Sequence, residues 1–322
     1  MTAFSGGKFY IKNFGCKVNQ YDSRMLAQNL ETMGKTGVSS PREADIIIVN
    51  TCSVTNRSES KERSYMRNIS RRYPEKEFLA VGCTVRRYKG DFKFGGAETS
   101  TGFIYLNNPR TALEKFKGHS RGFITIQQGC RGHCTYCLVK KLKKPYFIKS
   151  PEEVAAEAGR FLKNHRELVF CATNSAEYTQ LDKLIKKLHD IPGEFRWRFS
   201  SLNPGSLTEE NIKLLSRDER FCPHFHIPLQ SASDSVLKKM NRGYSLEMVE
   251  SVINTIKKYI PGSVFAFDII VGFPGESEND YQKTVDFVEK IRPVKVHIFR
   301  FSNCEGTAAY KFRNVKRIDE SV

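Results

Sequence analysis

Gln128-Gly129-Cys130-Arg131-Gly132-His133-Cys134-Thr135-Tyr136-Cys137 places three thiols on one short loop, with three residues in the first gap and two in the second. Cysteines so close can wrap one face of a metal cluster, and their number leaves one metal position without a protein ligand. An iron–sulfur cube that only carries electrons takes four ligands. With three, one iron stays open to a small molecule, and an open position is what separates a catalytic metal site from a structural one. The competing reading is zinc, but structural zinc takes four ligands, usually as two separated pairs. No second Cys-x-x-Cys occurs in the chain. His133 could supply a fourth ligand, yet inside so short a loop it would crowd its neighbours. The spacing also departs from the ferredoxin run, which has two residues in its first two gaps.

Working outward from this loop, strand and helix patterns alternate on both sides. Downstream of Gly122, six strands fit Phe123–Gln127, Leu168–Ala172, Arg196–Ser201, Pro223–Pro228, Val264–Val271 and Lys295–Phe301. Helices fit between them at about 179–190, 207–217, 245–260 and 278–291, and the first opens on Ser150-Pro151-Glu152-Glu153. That tetrapeptide is a capping box with proline in the first turn. Six βα units predict a partial α/β barrel with chemistry at the carboxyl ends of its strands, and the cysteine loop follows the first of them.

Upstream, Phe9–Phe14, Asp45–Asn50 and Glu77–Val81 read as strands, with helices at about 21–33 and 59–72 between them. This β-α-β-α-β order predicts an open parallel sheet covered by helices. Each strand ends one to three residues before a cysteine: Cys16, Cys52 and Cys83. In such a sheet the loops after the strands emerge on one edge, where these folds bind ligands. A lone buried cysteine is an ordinary small hydrophobe. Three at the same topological position predict a second three-cysteine cluster site. Residues 88–100 read as a polar, glycine-rich loop, 102–106 as a further strand, 111–116 as a short helix and 118–121 as the linker. The expected organisation is an N-terminal domain over 1–118, a barrel over 122–310 and a tail over 311–322. Cys171 and Cys222 read as core residues, whereas Cys304, near the barrel mouth, could meet either cluster.

The 322-residue chain carries 52 Lys+Arg against 35 Asp+Glu, a net charge of +17. A surplus of this size attracts polyanions, nucleic acid first among them. Lys140, Lys141, Lys143 and Lys144 follow the cysteine loop directly and read as a basic face that draws nucleic acid to the site. Mean hydropathy is −0.46, and no apolar run approaches the roughly 20 residues of a membrane span. Because the N-terminus lacks a signal-peptide core, a cytoplasmic chain is expected. Nine cysteines in an unexported chain argue for metal or redox chemistry rather than disulfides.

The cysteine loop resembles the signature of the radical S-adenosylmethionine enzymes. The whole chain, from about residue 9 to 309, resembles their methylthiotransferase branch. The likeness rests on Gly15-Cys16-Lys17-Val18-Asn19-Gln20-Tyr21-Asp22-Ser23, Asn50-Thr51-Cys52-Ser53-Val54-Thr55 and Gly82-Cys83. In the barrel it rests on Ser200-Ser201-Leu202-Asn203-Pro204, His226-Ile227-Pro228-Leu229-Gln230-Ser231, Asp268-Ile269-Ile270-Val271-Gly272-Phe273-Pro274-Gly275-Glu276 and Glu305-Gly306-Thr307. The resemblance implies two [4Fe-4S] clusters, one on Cys130, Cys134 and Cys137 and one on Cys16, Cys52 and Cys83. It implies that S-adenosylmethionine binds the open iron of the first and is cleaved there to a 5′-deoxyadenosyl radical. It also implies that the second cluster presents the sulfur that a further S-adenosylmethionine methylates. Tyr136, beside the third cysteine, is the expected adenine neighbour. Ser200, Ser201, Gln230, Ser231 and Gly272, after the third to fifth barrel strands, are candidates for the cofactor wall. Lys17-Val18-Asn19-Gln20-Tyr21 is most like the branch acting on N6-threonylcarbamoyladenosine at C2, beside the anticodon of tRNA. The implied partners are that tRNA stem-loop, an electron donor and a sulfur donor, with no membrane.

Departures from the family pattern are local. Leu138-Val139-Lys140-Lys141-Leu142-Lys143-Lys144-Pro145 replaces a segment that usually holds a proline and an Arg-Gly pair. Cys171-Ala172-Thr173-Asn174-Ser175 lacks a usual glycine, Asn203 stands where glutamate is common, and Cys304 where arginine is. The family's C-terminal RNA-binding TRAM domain is not expected within the 322 residues. These changes leave open methylthiolation of isopentenyladenosine tRNA or of a ribosomal protein, a different radical reaction, or a cluster protein that binds RNA without catalysis.

Overall fold

The computed structural model describes residues 7–88, 98–99, 113 and 119–312. The strand expected at 102–106 and the tail from 313 lie outside these residues, as does nearly all of the helix expected at 111–116. The described chain forms two compact units, residues 1–118 with 141–145, and residues 119–140 with 146–322.

In the first unit a five-stranded, all-parallel sheet carries β1 (Lys8–Asn13), β2 (Thr36–Gly37), β3 (Ile46–Thr51), β4 (Glu77–Gly82) and β5 (Glu98–Thr99) in the order β2-β1-β3-β4-β5. β5 lies inside the stretch expected to be only loop. Helices α1 (Lys17–Thr32), α2 (Asn56–Arg72) and α3 (Cys83–Arg87) follow β1, β3 and β4. Successive side chains of a strand point to opposite faces, and β3 uses both. Ile46 and Ile48 pack with Leu26, Ala27 and Leu30 of α1, whereas Ile47 and Val49 pack with Met66 and Ile69 of α2. Burial on both faces is why Ile46–Val49 is an unbroken apolar run. α1 begins four residues earlier than its apolar period indicated, directly after Cys16. α2 is capped by Thr55, whose hydroxyl accepts from the Ser58 N–H at 3.1 Å.

The second unit holds β6 (Arg121–Gln128), α4 (Val139–Leu142, its last two residues counted with the first unit), β7 (Phe147–Ile148), α5 (Pro151–Leu162) and β8 (Glu167–Ala172). Then come α6 (Leu181–His189), β9 (Arg196–Phe199), α7 (Glu209–Leu215), β10 (His224–Gln230), α8 (Asp234–Lys239), α9 (Leu246–Tyr259), β11 (Val264–Val271), α10 (Glu278–Ile291) and β12 (Lys295–Arg300). The six βα strands run parallel in chain order as a partial barrel, with β7 added antiparallel on the β6 edge. Their hydrogen bonding breaks into β7-β6-β8-β9 and β10-β11-β12, bridged by a single parallel pair, Trp197 with Phe221. Rings from Phe170, Trp197, Phe199, Phe221 and Phe225 pack edge-on or tilted across that seam. Before α5, Ser150 Oγ accepts from Glu153 N at 3.1 Å and Glu153 Oε2 accepts from Ser150 N at 2.7 Å, the expected capping box.

Candidate active site

In the first unit Cys16, Cys52 and Cys83 all lie just beyond the carboxyl ends of β1, β3 and β4. Cys16 is the N-cap of α1 but makes no side-chain cap bond. Two glycines allow the three to approach. Gly15 has φ +116°, and a Cβ there would stand 2.8 Å from Cys52 Cβ and 3.0 Å from its Sγ. Gly82 has φ +99°, and a Cβ there would fall 2.5 Å from the Thr51 carbonyl oxygen. Both conformations suit glycine alone. Burial, then Cys83, with Cys16 adding to it, pushes the Cys52 thiol up to about 12. Burial also raises Cys83. Thiols in this setting keep their protons until a metal replaces them.

The backbone around these thiols is pinned by side-chain amides. Asn19 Nδ2 donates to the carbonyls of Phe14 and Thr51, both at 3.0 Å. Asn50 Nδ2 donates to the Asn19 carbonyl and to Ser23 Oγ, both at 2.9 Å. Glu62 accepts from the Cys52 N–H at 2.6 Å and from the Thr84 hydroxyl at 2.9 Å, and burial lifts its carboxyl to about 8. Lys143 overturns the reading of a uniformly exposed basic face. It is buried, its ammonium donating to Asn19 Oδ1 at 2.5 Å and Asp22 Oδ2 at 2.8 Å. A long cationic side chain is buried only where partners offset its desolvation, and the run of lysines alone does not reveal those partners. Lys140, Lys141 and Lys144 are exposed.

In the second unit the Cys130–Cys137 loop leaves β6 through Gly129, at φ +87°. Buried Gln127 fixes the exit: its Nε2 donates to the Gly129 carbonyl at 2.8 Å and its Oε1 accepts from Asn174 N at 3.0 Å. Thr135 N and Oγ1 donate to the Met240 and Lys239 carbonyls, and the Thr135 carbonyl accepts from Ala309 N at 2.7 Å. Every thiol of the loop meets a donor. Gly132 N lies 3.2 Å and Asn174 Nδ2 3.7 Å from Cys130 Sγ, Arg242 Nη1 3.3 Å from Cys134 Sγ, and Val139 N 3.4 Å from Cys137 Sγ. Burial, aided by the neighbouring Cys134 and Cys130, pushes Cys137 up to about 11. Burial also raises Cys130.

Asn174 and Glu177 lie in or just after the segment that lacks the usual glycine. Glu177 Oε1 accepts from Arg131 N at 2.8 Å and from Asn174 Nδ2 at 3.0 Å, so this altered segment braces the cysteine loop. His133 is exposed, with both ring nitrogens within 3.3 Å of Lys140 Nζ. Tyr136 packs its ring edge-on to Phe273, beside Val236 and Met240. Ser200 and Ser201 follow β9, with Ser200 buried and its N–H donated to the Phe170 carbonyl. Gln230 ends β10 at φ +67° beyond a register shift, and Ser231 is fully buried, its hydroxyl accepting from Ser233 N. Gly272 has φ +73° with open space where a Cβ would stand, its N–H held by Glu276 Oε2 at 2.6 Å. Cys171 and Cys304 are buried, and Cys222 is half-buried.

Arg242, Asn174, Glu177 and Asn19 went unremarked in the sequence as site-builders. The signal for Arg242 was its place in Met240-Asn241-Arg242-Gly243-Tyr244, just before a helix cap. Among the described residues, the metal-capable set whose ligand atoms all lie within 4.8 Å of one another is His226, Asp268 and His297; neither cysteine triplet is drawn that tight. A single ion would gather its thiolates around one point, whereas a cluster binds each to a different iron. Both triplets fit iron–sulfur clusters better than zinc: in the first, Cys52 and Cys83 are buried and Cys16 is exposed, and in the second, half-buried thiols each meet an N–H donor.

The sequence comparisons agree with this geometry. The "Radical SAM superfamily" profile matches residues 124–288, and that of "Uncharacterized protein family UPF0004" matches residues 8–99. The threonylcarbamoyladenosine tRNA methylthiotransferase MtaB of Thermotoga maritima is 33% identical over 93% of this chain and 76% of its own length. Its namesake in Chlamydia pneumoniae is 34% identical over 96% and 78%. The tRNA-2-methylthio-N(6)-dimethylallyladenosine synthase of Endomicrobium trichonymphae is 32% identical over 94% and 78%. In fold, the chain is similar to the radical S-adenosylmethionine methyltransferase TsrM of Kitasatospora setae solved with cobalamin and a [4Fe-4S] cluster, at TM-score 0.62 and 12% identity over 92% of this chain and 72% of that one. No described helix is long and apolar enough to cross a membrane. With a matching barrel, a matching N-terminal sheet and relatives of one activity class along nearly its whole length, this chain belongs to the radical S-adenosylmethionine tRNA methylthiotransferases, enzymes that use S-adenosylmethionine and [4Fe-4S] clusters.

Proposed function

We propose that this enzyme places a methylthio group on C2 of N6-threonylcarbamoyladenosine beside the anticodon of tRNA. Cys130, Cys134 and Cys137 hold the cluster that meets S-adenosylmethionine, and Cys16, Cys52 and Cys83 hold the second. The observation that carries the reading is the gathering of Cys16, Cys52 and Cys83 at one edge of the parallel sheet through Gly15 and Gly82. Bound at these sites, the clusters and S-adenosylmethionine supply the electron, the radical and the sulfur. The chain's own part is to seat and shield them. Gly132 N, Val139 N and Arg242 donate to the sulfurs of the barrel loop, while Asn174 and Glu177 hold that loop against the end of β8. Tyr136, packed edge-on to Phe273, and Gly272, with open space where a Cβ would stand, would contribute to holding the adenosyl part.

The choice of threonylcarbamoyladenosine is supported by Lys17-Val18-Asn19-Gln20-Tyr21 and by relatives of that name in two organisms. An external reductant and an external sulfur source complete the partners. Nucleoside mass spectrometry of tRNA from cells with and without the gene tests the proposal. Loss of 2-methylthio-N6-threonylcarbamoyladenosine is expected. Loss of a methylthiolated isopentenyladenosine in its place overturns the substrate assignment.

A further inference from the structure

The sulfur of Cys16 lies 3.9 Å from Asn19 Oδ1, and the same oxygen accepts from Lys143 Nζ. The orientation of that amide is fixed, because Asn19 Nδ2 is committed to the Phe14 and Thr51 carbonyls. Its oxygen therefore has to face the ammonium. Asp22, one turn along α1, supplies the second acceptor at 2.8 Å. Burial opposes the charge on Lys143, but Asp22, Cys83 and Cys16 together outweigh it and push its pKa up, so the ammonium persists.

We infer that Lys143 is the positioning counter-charge of the N-terminal cluster, stabilising its more negative, reduced state, with Asp22 and Asn19 holding the ammonium in place. The inference rests on the assignment of Cys16, Cys52 and Cys83 as cluster ligands. A lysine that served only to tie residues 141–145 to the first unit would need one acceptor and no proximity to thiols. This one is buried with two acceptors, and it shares one of them, Asn19 Oδ1, with the Cys16 sulfur.

The test uses the full chain with Cys130, Cys134 and Cys137 changed to alanine, reconstituted anaerobically, so that any cluster signal comes from the first unit. A background without iron sinks the cluster assignment itself. Given a loaded background, redox titration followed by electron paramagnetic resonance compares Lys143→Met, Lys143→Arg and Asp22→Asn. Lys143→Met should lower the reduced-to-oxidised ratio at a fixed potential about tenfold, equal to about 59 mV for one electron. Lys143→Arg should stay near the parent. Asp22→Asn, which removes a negative charge, should shift the other way. Iron loss in Lys143→Met alone also supports the charge. An unmoved potential in Lys143→Met, shifts of the same sign in Lys143→Met and Asp22→Asn, or equal iron loss in Lys143→Met and Lys143→Arg overturns the inference.

Discussion

Arg242 donates from Nη1 to Cys134 Sγ and to the Tyr136 hydroxyl, both at 3.3 Å, and so spans the cysteine loop from 108 residues away in the chain. Its guanidinium lies over the Tyr244 ring, 4.7 Å from the centroid, and its Nε donates to the Tyr244 hydroxyl at 2.9 Å. That hydroxyl donates in turn to the Pro228 carbonyl near the end of β10. The charge is half-buried, and its nitrogens face Cys134 Sγ, two tyrosine hydroxyls and the Pro228 carbonyl. A cation so held stabilises electron density on whatever the Cys134 sulfur binds.

Replacing Arg242 with methionine should therefore leave iron content intact and move the midpoint potential of the barrel cluster negative. Arg242→Lys should fall between. Losing a charged donor to buried partners costs about 1.5–3 kcal/mol, which denaturant unfolding of the metal-free chain can read. A parent-like potential in Arg242→Met would reduce the residue to packing.

The lysines after the cysteine loop divide by burial. Lys140, Lys141 and Lys144 are exposed, whereas Lys143 is paired to Asp22. Changing the three exposed lysines to alanine should flatten the dependence of log affinity for tRNA on log salt by about three at most, the limit of one phosphate each. Adding Lys143→Met should leave the slope where the triple variant put it. A further flattening would mean that Lys143 reaches RNA.

How much of this was legible in the sequence depends on how local its cause is. The apolar runs and the strand–helix alternation placed all nine of the long strands among the described residues, because each answers to its own burial. Ser150-Pro151-Glu152-Glu153 named its cap for the same reason. The triplets Cys130–Cys137 and Cys16/Cys52/Cys83 were legible because topology places loops after parallel strands on one edge. Lys143 was not, since only Asn19 and Asp22, 124 and 121 residues away, distinguish it from its exposed neighbours. Arg242 and Glu177 escaped for the same reason, as their partners lie on other βα units. The start of α1 was misplaced because Lys17-Val18-Asn19-Gln20 spends a polar side, Asn19, on the backbone of the cysteine site instead of on water.

Asp218 gives the barrel a dependence on acid. It accepts from Trp197 Nε1 at 2.9 Å and from Arg220 Nε at 2.9 Å and Nη2 at 3.0 Å. Burial works against the carboxylate, but Arg220 and then Trp197 outweigh it and hold the pKa below the usual 3.8. A depressed carboxylate contributes stability that is complete above its unfolded pKa and is lost as pH falls through the folded one. Asp218→Asn should therefore unfold more easily at neutral pH, towards the low end of about 3–5 kcal/mol because Arg220 keeps some access to water. It should also lose less than the parent on going below about pH 4. Equal acid sensitivity in the two proteins would assign that sensitivity elsewhere.

The two cysteine triplets should separate by step. If Cys130, Cys134 and Cys137 hold the cluster with the open iron, as proposed, cofactor cleavage should depend on them. Cys16, Cys52 and Cys83 lie in another compact unit and would present sulfur, a later requirement. With both sites loaded as cubes the chain should hold about eight irons, and either triple alanine variant about four. The N-terminal variant should still release 5′-deoxyadenosine under reducing conditions while forming no methylthio product, and the barrel variant should give neither. The pattern is stricter than loss of activity, which any unfolded variant shows, and the iron retained at the intact site is the control for folding. Full methylthiolation by the N-terminal variant would make those cysteines core packing and remove the sulfur role. Loss of cofactor cleavage in that variant, with the barrel iron still present, would show that the first unit also governs the radical step.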